Sequence, residues 1–482
     1  MGKKSKNRRM KMAKNLIYDI SDRPPMGKRL IFAFQQFLAI LSATIAVPAM
    51  IGLPTQMPAA IFGAGVGTLI YQLFTKFKSP VFLGSSFAFI PSLLIAVTYG
   101  YAGIVVGSIV AGLVYVVLAL LVHFIGTSWV SKLMPPVIIG PTVTLIGLSL
   151  AGNAMGNITA ANSSVSNASG NYVALLCGLI TFFTVIICST QKKFTMPKLI
   201  PFVIGILAGY AVAAIFTTIG IVANVDYLKI IDWSPVVNNF VSDGKFVGLS
   251  AFFTVPKFAL VEGIKELVSG NLSPEILEAN AGASTLNLGG IIKVAVAFLP
   301  VALVVFAEHI ADHKNLSSII EQDLIEEPGL KRTLLGDGVG SIAGTLFGIC
   351  PNTTYGESVG CVAITKNASV VTITTTAFIC IALSFFSPLT TALQTIPACV
   401  MGGVCLALYG FIAVSGLKML KDVDLGESRN LFVVSVILIS GIGGLSLQIT
   451  EYVLITPTAT ALLLGILTNS ILKLIEKRSA KK

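Results

Sequence analysis

The chain has 482 residues, 54% of them hydrophobic and only 11% charged, with a formal net charge of +11. An ordinary soluble domain carries about 25% charged residues. This composition therefore excludes a soluble enzyme or regulator and points to a polytopic membrane protein with little soluble mass. The excess of base is scattered through short loops and the two ends. That distribution fits the positive-inside rule and argues against a nucleic-acid surface.

Residues 1–29 are polar and basic, with Lys3, Lys4, Lys6, Arg8, Arg9, Lys11 and Lys14. A signal peptide has a shorter charged region and a small-residue cleavage site. Here the first apolar run, 30–51, is of full length and ends in Ile51-Gly52-Leu53-Pro54. It reads as a retained first span behind a disordered, lipid-facing cytoplasmic arm.

A helical span needs about 20 apolar residues. That rule predicts spans at 30–51, 58–75, 80–98, 102–125, 134–152, 172–190, 198–222, 290–314, 333–350, 355–366, 368–388, 390–416, 429–447 and 452–475. The expected fold is thus an all-α polytopic membrane protein of about fourteen segments. Segments three and ten are irregular and are expected to hold short antiparallel β-like breaks. With the amino end inside, the cytoplasmic loops carry Lys76, Lys78, Lys132, Lys192, Lys193, Lys198, Lys314, Lys331, Arg332, Lys366, Lys418 and Lys421. The carboxyl-terminal end adds Lys473, Lys477, Arg478, Lys481 and Lys482. On the opposite side, 153–171 has no charge, and 223–293 is slightly more acidic than basic. Both ends are therefore expected in the cytoplasm. The 223–289 stretch is expected outside, with amphipathic interfacial pieces. The seven cysteines lie in apolar or near-apolar segments without a CxxC pair, as small hydrophobes at helix contacts do.

Three short matches recur in order about 270 positions apart. Phe34-Gln35-Gln36-Phe37-Leu38-Ala39 resembles Phe306-Ala307-Glu308-His309-Ile310-Ala311. Leu83-Gly84-Ser85-Ser86-Phe87-Ala88 resembles the region of Thr353-Thr354-Tyr355-Gly356. Pro135-Pro136-Val137-Ile138-Ile139-Gly140 resembles Pro397-Ala398-Cys399-Val400-Met401-Gly402. Collinear matches imply two halves of seven spans. An odd number inverts the second half and places a binding site near the midplane, in the discontinuous elements.

The apolar run 294–307 leads straight into Glu308-His309-Ile310-Ala311-Asp312. A carboxylate deep in a span costs roughly 2.5–3.5 kcal/mol even on lenient scales, so it is rarely idle. Glu308 and Asp312 are four apart and share a helix face. Asp312, with His313 and Lys314, can equally mark the cytoplasmic helix end. Glu357 follows the polar break Pro351-Asn352-Thr353-Thr354-Tyr355-Gly356. A desolvated carboxyl there is equipped to exchange a proton and to accept ligand N–H groups. Phe87 and Tyr355 are placed to stack on a planar ring, although bilayer or core packing is the plain reading for any aromatic here. His309 is expected to be structural. Metal-ligand clusters, nucleophile elbows and P-loops are absent from the sequence. With no ATP-binding domain, active transport is expected to run on an ion gradient without a cofactor.

These residues also carry a resemblance. From Arg29 to the carboxyl-terminal end the chain resembles the nucleobase–ascorbate transporter family, and within it the bacterial uracil permeases. The matching pieces are Gln36-Phe37-Leu38-Ala39, Leu83 to Phe89, Ala307-Glu308-His309, Asp323-Leu324 with Pro328-Gly329-Leu330, and Pro351 to Glu357. The family signature then runs from Glu357-Ser358-Val359-Gly360 to Thr365-Lys366. The resemblance implies a core domain (30–125 and 290–388), a gate domain (126–222 and 389–475) and a basic tail at 476–482. It implies a homodimer in the plasma membrane, an elevator-like movement of core against gate, and proton symport. It also implies that Glu308 and Glu357 bind the nucleobase, with Phe87 on its ring and Ser86, Tyr355 and Gly356 around it, and it places proton coupling at Glu308 and Asp312. Two positions depart from the pattern. The signature usually has Asn where Ser358 stands, and some uracil permeases have His where Asp312 stands. Glu357 favours uracil over xanthine or urate, since purine members usually carry Gln there. An anion carrier or channel on the same architecture is the alternative of a different class, and two acids at the site oppose it. A membrane enzyme or sensor finds no support in any catalytic constellation.

Overall fold

The computed structural model describes residues 16–160, 171–193, 195–242, 245–421, 423–449 and 454–479. The expected arm over 1–15, the middle of the uncharged loop at 161–170 and the terminal residues 480–482 lie outside the described residues.

The apolar runs form helices. In the first half they are α1 (Met26–Met50), α2 (Met57–Phe74), α3 (Ile90–Val97), α4 (Gly100–Ile125), α5 (Pro136–Ser149), α6 (Tyr172–Thr190) and α7 (Pro201–Val222). In the second half they are α8 (Leu288–Ile320), α9 (Leu330–Leu346), α10 (Gly356–Thr365), α11 (Val370–Ser384), α12 (Ala398–Met419), α13 (Ser428–Ile442) and α14 (Pro457–Ser479). Among the described residues, nine helices are long and apolar enough to cross a membrane. Local chemistry sets their ends. Gly52, at φ +80°, and Pro54 stop α1. The side chain of Asn171 accepts from the Val173 and Ala174 amides and caps α6, and Asn287 caps α8 through Gly290.

Two expectations need correction. Helix α8 does not end with Asp312, His313 and Lys314, the bound of the predicted span 290–314. It continues to Ile320 because Leu316 and Ile320 extend its buried face at four-residue spacing while Lys314 points outward. The amino-terminal segment is not all free arm either. The amides of Ile17 and Tyr18 donate to the Lys366 carbonyl, and the Tyr18 and Ile20 carbonyls accept from Ala368 and Val370. Ile20 is buried with Leu316, Val359 and Val362. Charge counting over 1–29 overlooked the apolar side chain of Ile20.

The helices pack in two groups. Helices α2, α4, α8, α9 and α11 pack on one another, with α1 against α2 and α11. Helices α5, α6, α7, α12, α13 and α14 form the other group. Helix α8 touches α5 and α14 across the boundary, and α1 touches α7 and α12. Glycines allow the closest crossing. A methyl added to Gly67 on α2 would sit 2.9 Å from the Gly340 carbonyl of α9 and 2.5 Å from the Asn352 amide nitrogen. Small residues at this spacing let helix backbones approach in lipid. The segment between α7 and α8 holds short helices, including Ser234–Phe240 and Ala259–Ser269, and a two-residue hairpin. All seven cysteines are buried and unbridged.

Strands β1 (Leu83–Ser85) and β2 (Asn352–Thr354) pair antiparallel, Leu83 with Thr354, Gly84 with Thr353 and Ser85 with Asn352. The Ser86 amide extends the pair by donating to the Pro351 carbonyl. All six strand residues are buried. Extended backbone is tolerated at membrane depth only when protein covers it and its polar groups are paired. Here each strand supplies the other.

Candidate functional site

Three elements meet at this strand pair. Helix α8 contributes Glu308 and Asp312, α10 starts directly after β2 with Gly356-Glu357, and the turn after β1 contributes Ser86 and Phe87. Glu308, Asp312 and Glu357 are each partly exposed, and Glu308 lies within Coulombic reach of both other acids and of Asp337. The Thr354 hydroxyl donates to Asp312 Oδ2 at 2.7 Å. A methyl built on Gly356 would lie 3.9 Å from Asp312 Oδ1, so that carboxyl stands over the start of α10. Glu308 Oε2 is buried and has no hydrogen-bond partner among the described residues, and the same holds for Ser85 Oγ and Ser86 Oγ. The side chain of Tyr355, at the cap position, makes no bond to the amino end of α10, and a helix start of this kind suits a polar ligand. The arrangement offers carboxylate acceptors beside backbone donors, which suits a small planar molecule bearing both N–H and carbonyl groups.

Other expected residues have different surroundings. Phe87 is buried, and its ring stands edge-on to Tyr409 of α12, with centroids 5.5 Å apart. It therefore spans the boundary between the two helix groups. Tyr355 does not offer its ring for stacking. The ring lies over Gly84, where the missing side chain leaves room for it, and its hydroxyl donates to the Ser85 carbonyl at 3.0 Å. Ser358 is buried and accepts a 2.7 Å hydrogen bond from Gln36 Nε2. This ties α10 to α1, using a hydroxyl where the family signature usually has an amide. Gly360 faces open space. Thr365 bonds back to the Cys361 carbonyl, and Lys366 ends α10 at φ 56°. These two lie about 12–14 Å along the helix from Glu357 and belong to its far end.

The sequence reading missed Asp337. It is 1% exposed and lies 2.6 Å from His309 Nδ1 through Oδ2. A charged residue inside the predicted span 333–350 was the available signal, hidden in the glycine-rich stretch Gly336-Asp337-Gly338.

Residues 27–450 match the Permease family, Xan_ur_permease. The chain is 36% identical over 461 residues to the uracil permease of Bacillus caldolyticus, covering 95% of this chain and 94% of that one. It is 32% identical over 458 residues to the uracil permease of Escherichia coli (strain K12), covering 95% and 94%. Two solved structures share the fold. The transmembrane domain of the cyanobacterium bicarbonate transporter BicA has a TM-score of 0.54 at 13% identity, over 92% of this chain and 96% of that one. The murine anion transporter Slc26a9, in its inward-facing state, has a TM-score of 0.59 at 12% identity, over 95% and 69%. With its family match across nearly its whole length and its many apolar helices, the chain belongs to the Permease family and is a multi-pass membrane transport protein.

Proposed function

We propose that this permease is a proton-coupled importer of a nucleobase, with uracil the first candidate. The observation that carries the reading is the meeting of Glu308, Asp312 and Glu357 at the start of α10, with Glu308 Oε2 lacking a hydrogen-bond partner among the described residues. Uracil presents N–H donors to carboxylates and carbonyl oxygens to backbone N–H groups. Relatives over 95% of the chain are uracil permeases by name. Glu308, Glu357, Ser86 and the Tyr355-Gly356 backbone bind the base, and Phe87 forms an apolar wall beside it. Three carboxyl groups in mutual Coulombic reach titrate as a set. This equips Glu308 and Asp312 to take up a proton with the substrate.

The helix group carrying the site (30–125 and 290–388) is the moving core, and the other (126–222 and 389–475) is the gate. The core shifts like an elevator against a gate that dimerises with a second copy. The fourteen segments form two inverted sevens, with both ends on the cytoplasmic side of the plasma membrane. A purine reading draws on Asp312, an acid shared with purine carriers. An anion reading draws only on fold likeness, and three acids around the site oppose it.

The test is uptake of radiolabelled uracil and xanthine by cells lacking their own carriers, with and without a proton uncoupler. Uracil uptake that the uncoupler abolishes and Glu357→Ala removes is expected. Xanthine uptake with uracil excluded overturns the substrate, and uptake indifferent to the uncoupler overturns the coupling.

A further inference from the structure

We infer that Asp337, His309 and Thr353 form a positioning set behind the site, acting on Asp312 through strand β2. The inference rests on the proposed reading of Asp312 as a site group.

Successive side chains of a strand point to opposite faces. In β2 this alternation separates two acids. Thr353 turns one way and donates to Asp337 Oδ2 at 3.2 Å, while Thr354 turns the other way and donates to Asp312 Oδ2 at 2.7 Å. Asp337 is fixed in turn. His309 Nδ1 lies 2.6 Å from its Oδ2, and His309 Nε2 lies 3.1 Å from Thr333 Oγ1 on α9. His309 is fully buried, and its ring meets Tyr115 of α4 edge-on and lies 4.1 Å from the ring of His313. The cavity beside Asp337 is about 10 Å³, room for a single water. That size rules it out as a second substrate pocket and leaves the set a supporting role.

Strand β2 has three residues and pairs with β1 alone. So short a pair has little stiffness of its own. The height of Thr354, and with it the donor that orients Asp312, is therefore set by what Thr353 grips on the far side. The same histidine is the residue after Glu308, so its anchoring also sets the rotation of α8 about its axis.

The test uses the full-length protein, purified and reconstituted, with uracil binding measured at equilibrium alongside the thermal midpoint. Thr353→Val is expected to weaken binding roughly tenfold with little change in the midpoint. Thr353→Ser, which keeps the hydroxyl, is expected to bind as the parent does. In an Asp312→Asn background, Thr353→Val is expected to add no further loss, because its route of action is already cut. Asp337→Asn is measured in the same cycle and is expected to behave as Thr353→Val does. Four results overturn the inference: unchanged binding in Thr353→Val, losses that add fully to Asp312→Asn, failure of the serine variant to restore binding, or collapse of both Thr353→Val and Asp337→Asn to unfolded protein. If Asp312→Asn binds normally while Glu357→Ala does not, the reading of Asp312 fails first and takes this inference with it.

Discussion

Replacing Gly84 by alanine strikes the strand pair where it has no slack. The added methyl would fall within the Tyr355 ring, with the hydroxyl oxygen at 2.8 Å and two ring carbons closer still. Carbon atoms prefer roughly 3.5–4.0 Å. The ring cannot swing aside freely, because Tyr355 is 3% exposed and its hydroxyl is bonded to the Ser85 carbonyl. Overpacking of this kind costs about 1–3 kcal/mol, and loss of the hydroxyl bond adds about 1 kcal/mol. The sum is roughly 2–4 kcal/mol, concentrated on the element that joins β1 to the start of α10. Thermal inactivation of the purified protein should show a clearly lowered midpoint for Gly84→Ala, and uptake should fall with it. Tyr355→Phe alone should cost only the hydroxyl bond, about 1 kcal/mol. Adding Tyr355→Ala to Gly84→Ala should recover part of the loss by clearing space. A Gly84→Ala protein as stable as the parent, with full uptake, would refute the packing assigned to Tyr355.

Three further outcomes can be checked. Ser358→Ala leaves the buried Gln36 amide without its acceptor and should cost about 1–3 kcal/mol in thermal unfolding. Ser358→Asn should also destabilise, by about 1–3 kcal/mol through overpacking, unless Gln36 is shortened. Burial raises the Glu275 carboxyl, but the Lys257 ammonium and the residue's own backbone N–H outweigh it and hold the group below its ordinary value. That stability is present at neutral pH and is lost as pH falls through the acidic carboxylate range. Because Lys257 is half exposed, Glu275→Gln should change neutral-pH stability by less than ~1 kcal/mol and remove this part of the acid dependence. Ile20→Asp places a charge among Leu316, Val359 and Val362, at about 2 kcal/mol or more. Limited chymotrypsin digestion should then cut faster after Tyr18, whose backbone is otherwise bonded to Lys366 and Ala368.

What could be read from residue order alone was whatever changes the cost of entering lipid. Glu308 stood out as a charge at the end of an apolar run, and Glu357 as an acid beside a polar break. Both positions share one neighbourhood in the structure. Asp337 escaped notice because glycines on either side made its segment look like a packing seam, which it also is. The fate of the Tyr355 ring depends on the absent side chain of Gly84, some 270 residues away, and only the strand register reveals that pairing. The continuation of α8 to Ile320 was hidden by Asp312, His313 and Lys314. Three polar residues in a row resemble a helix end until it is seen that His313 is buried, bonded to Tyr71 at 2.8 Å.

The contact of Ile17 to Asp22 with residues 366–370 has a consequence for biosynthesis. The early segment leaves the ribosome long before its partner is made, and must wait unpaired while ten apolar elements enter the bilayer. Only then does the ring between chain start and α10 close, so this clasp is among the last joints to form. A nascent chain halted before Lys366 should still be cut by chymotrypsin after Tyr18, whereas the finished chain holds that backbone against Lys366 and Ala368.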